Sequence, residues 1–324
     1  MRLRGLRGLR GRARAARPRR AVFRGGTGNN GRMTVLGAVS LPQVPPGQLR
    51  AVARAADEAG LDELWLWEDC FWNGGVASVA AALAWTARLR AGIGVLPVPL
   101  RNVAVAAMEI ATLDEMFPGR FVAGVGHGVQ DWMGQVGAKA ESPMTLMREY
   151  LTALRALLRG EKLTVEGRYV RLNGVALDRP PASPPAVLAA ATGPRSLRLS
   201  GELADGTILT ASTTAEQIRQ ARRLVDEGRE TGGRTEPHPL IVYLRTATGA
   251  GAAERLEAEW RAMGDDPASG IGVAGDAQAV AGAVQRWADA GADTVVLQPT
   301  VDDPDPVRFV RFVAEEVRPL IPAG

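Results

Sequence analysis

The sequence predicts an α/β fold, a closed (β/α)8 barrel of the TIM type with a small β-hairpin inserted after the fourth helix. From residue 34 onward, short apolar runs rich in β-branched residues alternate with longer segments of helical period, which is typical of parallel βαβ units. Eight such units can be counted. A chain of 324 residues, of which 46% are hydrophobic and 23% charged, is also compatible with a single barrel domain over residues 33–324.

Each predicted strand is an apolar run bounded by turn residues or by a charged residue. The fourth begins after the Pro118-Gly119 turn, and the fifth follows the rigid segment "PPASPP". The strands are predicted at 34–41, 62–67, 90–98, 120–126, 186–192, 205–211, 239–248 and 293–299. Eight parallel strands favour a closed barrel over an open sheet.

The predicted helices follow these strands and show amphipathic spacing, and the first ends at Gly60, a residue suited to a helix terminus. They are predicted at 46–60, 76–88, 102–117, 144–160, 193–204, 214–232, 252–264, 276–291 and 304–321. Residues 162–177 change character, because polar and apolar residues alternate around "EGR" and "LNG". This pattern predicts the inserted hairpin.

The first 32 residues differ in composition from the rest, with eleven arginines and no acidic residue. Without them the chain has 28 basic and 35 acidic residues, a formal charge of −7, so we expect no nucleic-acid partner for the folded domain. Two interpretations of the segment stay open: a disordered basic or transit-like arm, or translation that begins at Met33. "RR" at Arg19 and Arg20 lacks a following apolar segment, so we expect a cytoplasmic protein.

The sequence lacks the motifs that mark several classes of function. With one cysteine, Cys70, and two histidines, His127 and His238, the chain predicts no intrachain disulfide and no metal site. The uncharged run 70–87 leaves only a short buried helix, so no membrane partner is expected. No phosphate-binding P-loop, serine-esterase elbow, zinc-protease motif or kinase-like set occurs. A barrel that uses a cofactor on a small-molecule substrate remains.

In such a barrel, ligands bind at the carboxyl ends of the strands. The segment "TGPRS" follows the fifth strand: Gly193 allows close backbone approach, Pro194 suits a first helical position, and a helix amino terminus attracts an anion. Arg195 could add a charged contact. A plain connection between strand and helix is the alternative interpretation.

"GVGHGVQDWM" follows the fourth strand and does not match the dinucleotide-binding fingerprint. Its glycines could let the strand end pass close to a flat ligand or to another backbone. His127 could donate a proton or orient a substrate, or it could be a structural histidine. Trp132, together with Trp72, could frame an aromatic pocket, although tryptophans are more often buried in a core.

"WEDCFW" follows the second strand and places Glu68, Asp69 and Cys70 between aromatic residues. The carboxylates could anchor a ligand or shift the pKa of a neighbour, or they could cap the next helix. Cys70 has no evident catalytic partner, so we interpret it as a small residue that lines the pocket.

Two blocks, "GIGVLPVPLRNVAVAAMEIATLDEMFPGRFVAGVGHG" and "AAATGPRSLRLSGELADGTIL", together with "TTAEQIRQA", resemble the luciferase-like monooxygenase superfamily, and its F420-dependent branch most closely. The resemblance extends over residues 33–322. It implies a (β/α)8 barrel that binds a deazaflavin or FMN across the carboxyl ends of the strands, usually in a homodimer. The sugar-phosphate dehydrogenases of this family have a catalytic histidine where Cys70 stands and a glutamate where Val129 stands, which puts that chemistry in doubt.

The resemblance also implies roles for individual residues. A non-proline cis peptide that backs the cofactor ring would lie between Gly94 and Val95, and the phosphate contacts would come from Thr192, Gly193 and Pro194. Ring-edge contacts would come from Asp69 and from the turn at Gly126 and His127.

The expected activity is hydride transfer between coenzyme F420 and a small organic substrate. His127 is the candidate for proton delivery and Asp69 for anchoring the ring edge, while Cys70, Trp72 and Trp132 would line the substrate pocket. An FMN-dependent monooxygenase is the alternative, and a non-catalytic protein that binds F420 or flavin is a third possibility.

Overall fold

Eight parallel strands close into a barrel in the computed structural model, which describes residues 34–322. The basic segment 1–32 lies outside the described residues. In chain order the strands are β1 Val35–Ser40, β2 Glu63–Leu66, β3 Arg90–Pro97, β4 Phe121–Gly126, β5 Leu163–Glu166, β6 Arg171–Val175, β7 Val187–Ala190, β8 Gly206–Leu209, β9 Leu240–Ala247, β10 Val273–Ala274 and β11 Thr294–Pro299.

The barrel order is β11-β1-β2-β3-β4-β7-β8-β9, and pairing of β9 with β11 completes the ring. The predicted (β/α)8 fold is therefore confirmed. β5 and β6 form the predicted hairpin outside the barrel, antiparallel with Val165 opposite Leu172. β10 is a two-residue addition that pairs with β9.

The helices are α1 Leu49–Ala59, α2 Gly75–Ala84, α3 Val103–Met116, α4 Gln130–Gln135, α5 Pro143–Leu158, α6 Pro194–Leu203, α7 Ala215–Thr231, α8 Ala252–Met263, α9 Ala277–Asp289 and α10 Pro306–Arg311. Their ends follow local chemistry. The Asn102 side chain accepts a hydrogen bond from the Ala104 N–H at the start of α3, and α1 ends at Gly60 with φ 78°. None of the described helices is long and apolar enough to cross a membrane.

The helices differ from the prediction in three places. The segment 304–321 is not one helix, because α10 passes into a π-helical segment at Phe312–Val317 and a short 3-10 turn at Arg318–Leu320. The helix predicted at 76–88 ends at Ala84. The short helix α4 lies within "GVGHGVQDWM" and was not predicted, because six residues are too few to show a periodic pattern.

The barrel wall has an apolar layer on each side. The outer layer lies between strands and helices, whereas a separate inner cluster joins side chains from opposite sides of the barrel, including Trp65, Val122, Ile208, Tyr243 and Val296. In parallel strands, residues in register point to the same face. Because Val296 pairs with Tyr243 and Gln298 with Arg245, the latter pair also faces the barrel interior, one level nearer the carboxyl-terminal mouth.

Candidate functional site

The loop after β2 carries the two acidic residues singled out in the sequence, and they differ in role. Glu68 Oε2 accepts a hydrogen bond from the N–H of Gly75, the first residue of α2, at 2.9 Å. Glu68 Oε1 contacts Arg101 Nη1 at 2.5 Å. Glu68 therefore satisfies the helix terminus, which is the capping role considered from the sequence.

Asp69 is different, because no group among residues 34–322 donates a hydrogen bond to its carboxylate. Burial raises the pKa of Asp69. The charge of Asp69 also affects Tyr243. Burial is the main cause that raises the pKa of the Tyr243 hydroxyl, and the charge of Asp69 raises it further, whereas the indole of Trp67 opposes the shift. A half-buried carboxyl group near the barrel interior thus has hydrogen-bonding capacity that the described residues leave unused.

Cys70 lies beside Asp69, and its thiol is poorly suited to act as a nucleophile. Burial raises the pKa of Cys70, and the charges of Asp69 and Glu68 raise it further, so the thiolate is disfavoured at neutral pH. This agrees with the interpretation of Cys70 as a lining residue.

A cavity of about 530 Å³ brings together three of the predicted site residues, Asp69, Cys70 and Trp72. It is also lined by Arg101 and Glu109. Exposed apolar side chains complete its wall, namely Phe71, Leu100 and Val105. His127 and Trp132 are not among the lining residues of this cavity; Trp132 is half-buried on α4.

Gly94 lies at the centre of the barrel wall in β3. The Gly94–Val95 peptide is cis, as the family resemblance implies, and Cys70–Phe71 is a second non-proline cis peptide that the sequence did not suggest. A Cβ atom on Gly94 would lie 1.9 Å from Tyr243 Oη and 3.0 Å from Trp65. The Tyr243 hydroxyl donates a long hydrogen bond, 3.4 Å, to the Gly94 carbonyl. Close packing against Tyr243 thus requires glycine here.

The glycines of β4 have a similar explanation. The register between β3 and β4 shifts between Ile93 and Leu96. At this irregularity a Cβ on Gly124 would lie 2.4 Å from the Ile93 carbonyl oxygen, and one on Gly126 would lie 2.5 Å from Val95 Cγ2. Of the two alternatives considered from the sequence, close approach to another backbone accounts for Gly124, whereas the Val95 side chain restricts position 126. A cofactor contact by Gly126 stays a prediction.

His127 follows β4 directly, and its Nδ1 is buried without a hydrogen-bond partner in the part of the chain that the structure describes. Burial lowers the pKa of His127, and the nearby carbonyl of Pro143 opposes the shift. The imidazole is therefore neutral at pH 7. The other histidine, His238, is buried and bonded through Nε2 to Thr207 Oγ1 at 2.8 Å, so it is a structural residue.

Other buried polar atoms at the same end of the barrel lack a partner among the described residues. They include Gln43 Oε1, three residues after β1, and Thr300 Oγ1, one residue after β11. Buried polar groups are nearly always satisfied in folded proteins, so unpaired ones need an explanation. Together with His127 Nδ1 and the Asp69 carboxylate they lie after the carboxyl ends of four barrel strands.

The predicted phosphate segment lies at the start of α6. Thr192, Pro194 and Arg195 are exposed, while the Gly193 N–H is already bonded to Ser196 Oγ at 3.2 Å. An anion here would rely on the remaining first-turn N–H groups and on Arg195.

A buried charge cluster at the barrel mouth was missed from the sequence. Arg245 Nε lies 2.8 Å from Glu259 Oε1 and its Nη1 lies 2.7 Å from Asp265 Oδ2. Glu259 also accepts from the Val301 N–H, and Asp265 from the Ser212 hydroxyl. The cluster thus ties together the segments after β8, β9 and β11. Alternation along β9, where Ile241 and Tyr243 also face inward, is the sequence signal that could have revealed it.

Among residues 34–322, no group of three or more histidine, cysteine, aspartate or glutamate side chains is arranged to hold a metal ion.

Comparisons with known proteins show which family the chain resembles in sequence and in fold. Residues 32–294 match the family model described as luciferase-like monooxygenase. A 5,10-methylenetetrahydromethanopterin reductase of Methanolobus tindarius is 32% identical, and the match covers 53% of this chain and 52% of that protein. An F420-dependent glucose-6-phosphate dehydrogenase of Kineococcus radiotolerans is 29% identical, covering 87% of this chain and 95% of that protein.

Solved structures share the fold. The coenzyme F420 dependent tetrahydromethanopterin reductase of Methanopyrus kandleri superposes with a TM-score of 0.77 at 20% identity, covering 90% of this chain and 100% of that one. The oxygenating constituent of 3,6-diketocamphane monooxygenase of Pseudomonas putida, in complex with FMN, gives 0.71 at 18% identity, covering 90% and 100%. At these identities the likeness shows the fold alone.

Proposed function

The chain belongs to the luciferase-like monooxygenase family, and from this premise we propose that it is an F420-dependent oxidoreductase that transfers a hydride between coenzyme F420 and a small organic substrate. The relatives matched in sequence include enzymes named for F420, one of them over nearly its whole length. The observation that carries the proposal is that polar groups without a partner among the described residues, the Asp69 carboxylate and His127 Nδ1 above all, follow the carboxyl ends of β2 and β4.

Residues of this chain would hold the cofactor in three places. Asp69 would bind a polar edge of the ring, because its carboxyl group has no partner among the described residues. The backbone at Gly94, Val95 and Gly126 would lie along the ring. The amino end of α6, at Thr192, Gly193 and Pro194, would bind the phosphate. When bound, the deazaflavin would accept or supply a hydride and leave the proton to the protein.

His127 is suited to handle that proton. A general base must be unprotonated to act, and burial keeps the His127 imidazole neutral at pH 7. For an alcohol substrate, His127 would take the hydroxyl proton as the hydride leaves the adjacent carbon. The same residue would return a proton to a carbonyl in the reverse direction. The neutral form favours substrate oxidation at neutral pH.

An FMN-dependent monooxygenase is the second candidate, and it is supported by the shared fold of the FMN-bound monooxygenase. The two functions differ in their need for oxygen. The test is turnover of a panel of alcohols and carbonyl compounds with each cofactor, with and without oxygen. We expect F420-linked turnover that is equal in both atmospheres. Turnover only with reduced FMN and oxygen would contradict the proposal, and tight cofactor binding without any turnover would indicate a carrier protein.

We also propose a homodimer, supported by an apolar outer face on α2 and α3. α2, "GVASVAAALA", has no charged residue, and Ala77 and Ala84 are exposed on it. Val105, Met108 and Met116 are exposed along α3. Helices that are apolar on every side are normally covered. The cytoplasmic location expected from the sequence stays a prediction.

A charge on this face should dissociate the dimer. Met108→Glu is expected to convert the protein to a monomer in sedimentation analysis, because it would bury a carboxylate between the two copies. Met263→Glu is the matched control on α8, where Met263 is exposed to a similar degree. An unchanged mass for Met108→Glu would exclude this face.

A further inference from the structure

One carboxylate docks the inserted hairpin β5–β6 onto α5. Glu149, on α5, accepts hydrogen bonds from three consecutive backbone N–H groups of the hairpin turn, those of Arg168, Tyr169 and Val170, at 2.9, 2.8 and 2.9 Å. The turn approaches this carboxylate closely, because a Cβ atom on Gly167 would lie 2.5 Å from Glu149 Oε2. These contacts fix the position of the turn relative to the helix.

The same turn reaches the amino end of α5 through Tyr169. The Tyr169 hydroxyl accepts a hydrogen bond from the backbone N–H of Ser142 at 2.7 Å. Ser142 precedes Pro143, the first residue of α5, and the Ser142 hydroxyl lies 2.7 Å from Thr145 Oγ1 in the first turn of the helix. The hairpin and the helix therefore hold Ser142 from two sides.

Pro143 connects this end of α5 to His127. Burial lowers the pKa of His127, and the carbonyl of Pro143, which lies beside the imidazole, opposes that shift. A carbonyl oxygen only accepts hydrogen bonds, so the nitrogen of a neutral imidazole that faces it carries the ring proton. Nδ1 has no hydrogen-bond partner among the described residues, which leaves Nε2 for the carbonyl. The backbone of His127 is held separately, because Gln130 Nε2 donates to its carbonyl at 3.2 Å.

We propose that the inserted hairpin positions His127: Tyr169 holds the amino end of α5, where the Pro143 carbonyl keeps the ring proton of His127 on Nε2 and leaves Nδ1 free to act as the base. In a histidine, the hydrogen bond of one ring nitrogen determines which nitrogen is protonated. Tyr169 is a positioning residue, because it acts on His127 through Ser142 and Pro143. The inference rests on the proposed function for what His127 does, but not for how its ring is held.

The proton step balances on these atoms. In substrate oxidation, Nδ1 takes the proton that the substrate loses, and the neutral imidazole becomes an imidazolium with a proton on each nitrogen. The Nε2–H bond is not broken, and its hydrogen bond to the Pro143 carbonyl becomes charge-assisted and therefore stronger. The carbonyl thus stabilises the protonated ring that forms as the hydride leaves the substrate.

The test is 15N NMR of the whole chain, labelled at histidine, at neutral pH and without cofactor. The chain has two histidines, so the spectrum contains two rings. His238, bonded through Nε2 to Thr207, is the internal reference for an intact fold. Protonated and unprotonated ring nitrogens have well-separated shifts, and we expect a proton on Nε2 of His127 and none on Nδ1. A proton on Nδ1 in the wild type would overturn the proposal.

Tyr169→Phe removes the acceptor of the Ser142 N–H and keeps the aromatic ring. We expect the His127 signals to move toward the average of the two tautomers, while the His238 signals stay unchanged. Thr164→Val is the matched control, because it breaks the 3.0 Å hydrogen bond from the Gly174 N–H elsewhere in the same hairpin. His127 signals that are unchanged in Tyr169→Phe, or that change equally in both variants, would contradict the positioning role.

A second pair of variants tests the docking of the hairpin. Glu149→Gln replaces the carboxylate that accepts the three N–H groups, so it should move the His127 signals in the same direction as Tyr169→Phe. Glu141→Gln removes an exposed ion pair with Arg168 on the same turn and should leave them unchanged. A larger change in Glu141→Gln than in Glu149→Gln would show that the docking does not reach His127.

Turnover provides an independent readout. With saturating F420, Tyr169→Phe is expected to lower kcat about tenfold, as the loss of one buried hydrogen bond implies, without changing the Kd of F420. The midpoint of the acidic limb should move to lower pH, because the carbonyl that raises the pKa of His127 is held less firmly. Weaker F420 binding with unchanged kcat would contradict the proposal. If no F420-linked turnover occurs, the proposed function fails, while the NMR comparison still decides how His127 is held.

Discussion

At the scale of single residues, the contact between Gly94 and Tyr243 links the barrel core to the predicted cofactor site. A Cβ atom at position 94 would lie only 1.9 Å from the oxygen of the Tyr243 hydroxyl, so the hydroxyl excludes a side chain there. The family resemblance drew attention to Gly94, but only the folded chain shows which partner excludes a side chain. Tyr243 is 149 residues away in sequence, so no local pattern could identify it.

Gly94→Ala is expected to lower the free energy of unfolding by about 1–3 kcal/mol, because the new methyl group overpacks the barrel interior. Gly94→Ala should cost less free energy of unfolding when it is made in the Tyr243→Phe variant than when it is made in the wild type. Without the Tyr243 hydroxyl, the nearest remaining contacts of the new methyl group are 3.0 Å or longer. Urea denaturation of the four proteins measures the coupling. Additive effects would show that the two side chains do not compete for this space.

His127 was identified from the sequence as a candidate, and the structure adds the environment that sets its protonation. Burial lowers its pKa, so the neutral form dominates above the ordinary range near 6.5. The deprotonated base is lost as pH falls through this lowered pKa. Substrate oxidation should therefore decline only on the acidic side, with a midpoint below 6.5.

His127→Gln should reduce kcat by about 10²–10⁴-fold and abolish that acidic limb, as expected for loss of a general base. His238→Gln is the control, because His238 is bonded to Thr207 inside the fold and should keep the limb. The measurement is kcat against pH with saturating F420. An acidic limb that persists in His127→Gln would remove this residue from the mechanism.

At the scale of elements, the barrel strands could be predicted as continuous apolar runs, because they are buried on both faces. Most helices could be predicted from their amphipathic period, because each buries one face. The hairpin β5–β6 was predicted by its alternation. The short helix α4 and the break of the last helix into α10 and a π-helical segment were not, since they depend on tertiary packing rather than on a repeating pattern.

The charge cluster around Arg245 was also missed from the sequence, because it depends on contacts between distant parts of the chain. Arg245 reads as part of the strand-like run 239–248, and its two carboxylate partners come from α8 and the loop after it. Sequence distance concealed the interaction, although it connects the ends of three strands. Burial raises the pKa of Glu259, with Arg245 and the Val301 N–H opposing the shift, so this carboxylate depends on its partner.

Arg245→Met is expected to cost about 3–5 kcal/mol in the free energy of unfolding, because it leaves two largely buried carboxylates without a cation. Arg261→Met removes an exposed pair with Glu257, 3.0 Å apart, and should cost less than about 1 kcal/mol. Chemical denaturation at pH 7 compares the two. Equal costs would show that the buried cluster contributes no more than a surface pair.

At the scale of the whole molecule, the barrel gathers residues from distant parts of the chain at one end. Gln43, Asp69, His127 and Thr300 come from the ends of four strands, and each has a polar group with no partner among the described residues. From the order of the predicted strands alone, the sequence indicated that the ligand site lies at this end of the barrel. It could not show which polar groups stay unpaired, because that depends on side-chain geometry between segments far apart in the chain.

The central claim is that these unpaired groups receive a deazaflavin. The most direct measurement is titration of the purified protein with F420 and with FMN, followed by competition between them, using the wild type and Asp69→Asn. We predict that F420 binds more tightly than FMN and that Asp69→Asn weakens F420 binding by about tenfold, the loss of one charge-assisted hydrogen bond. Tight binding of FMN with no measurable affinity for F420 would contradict the account.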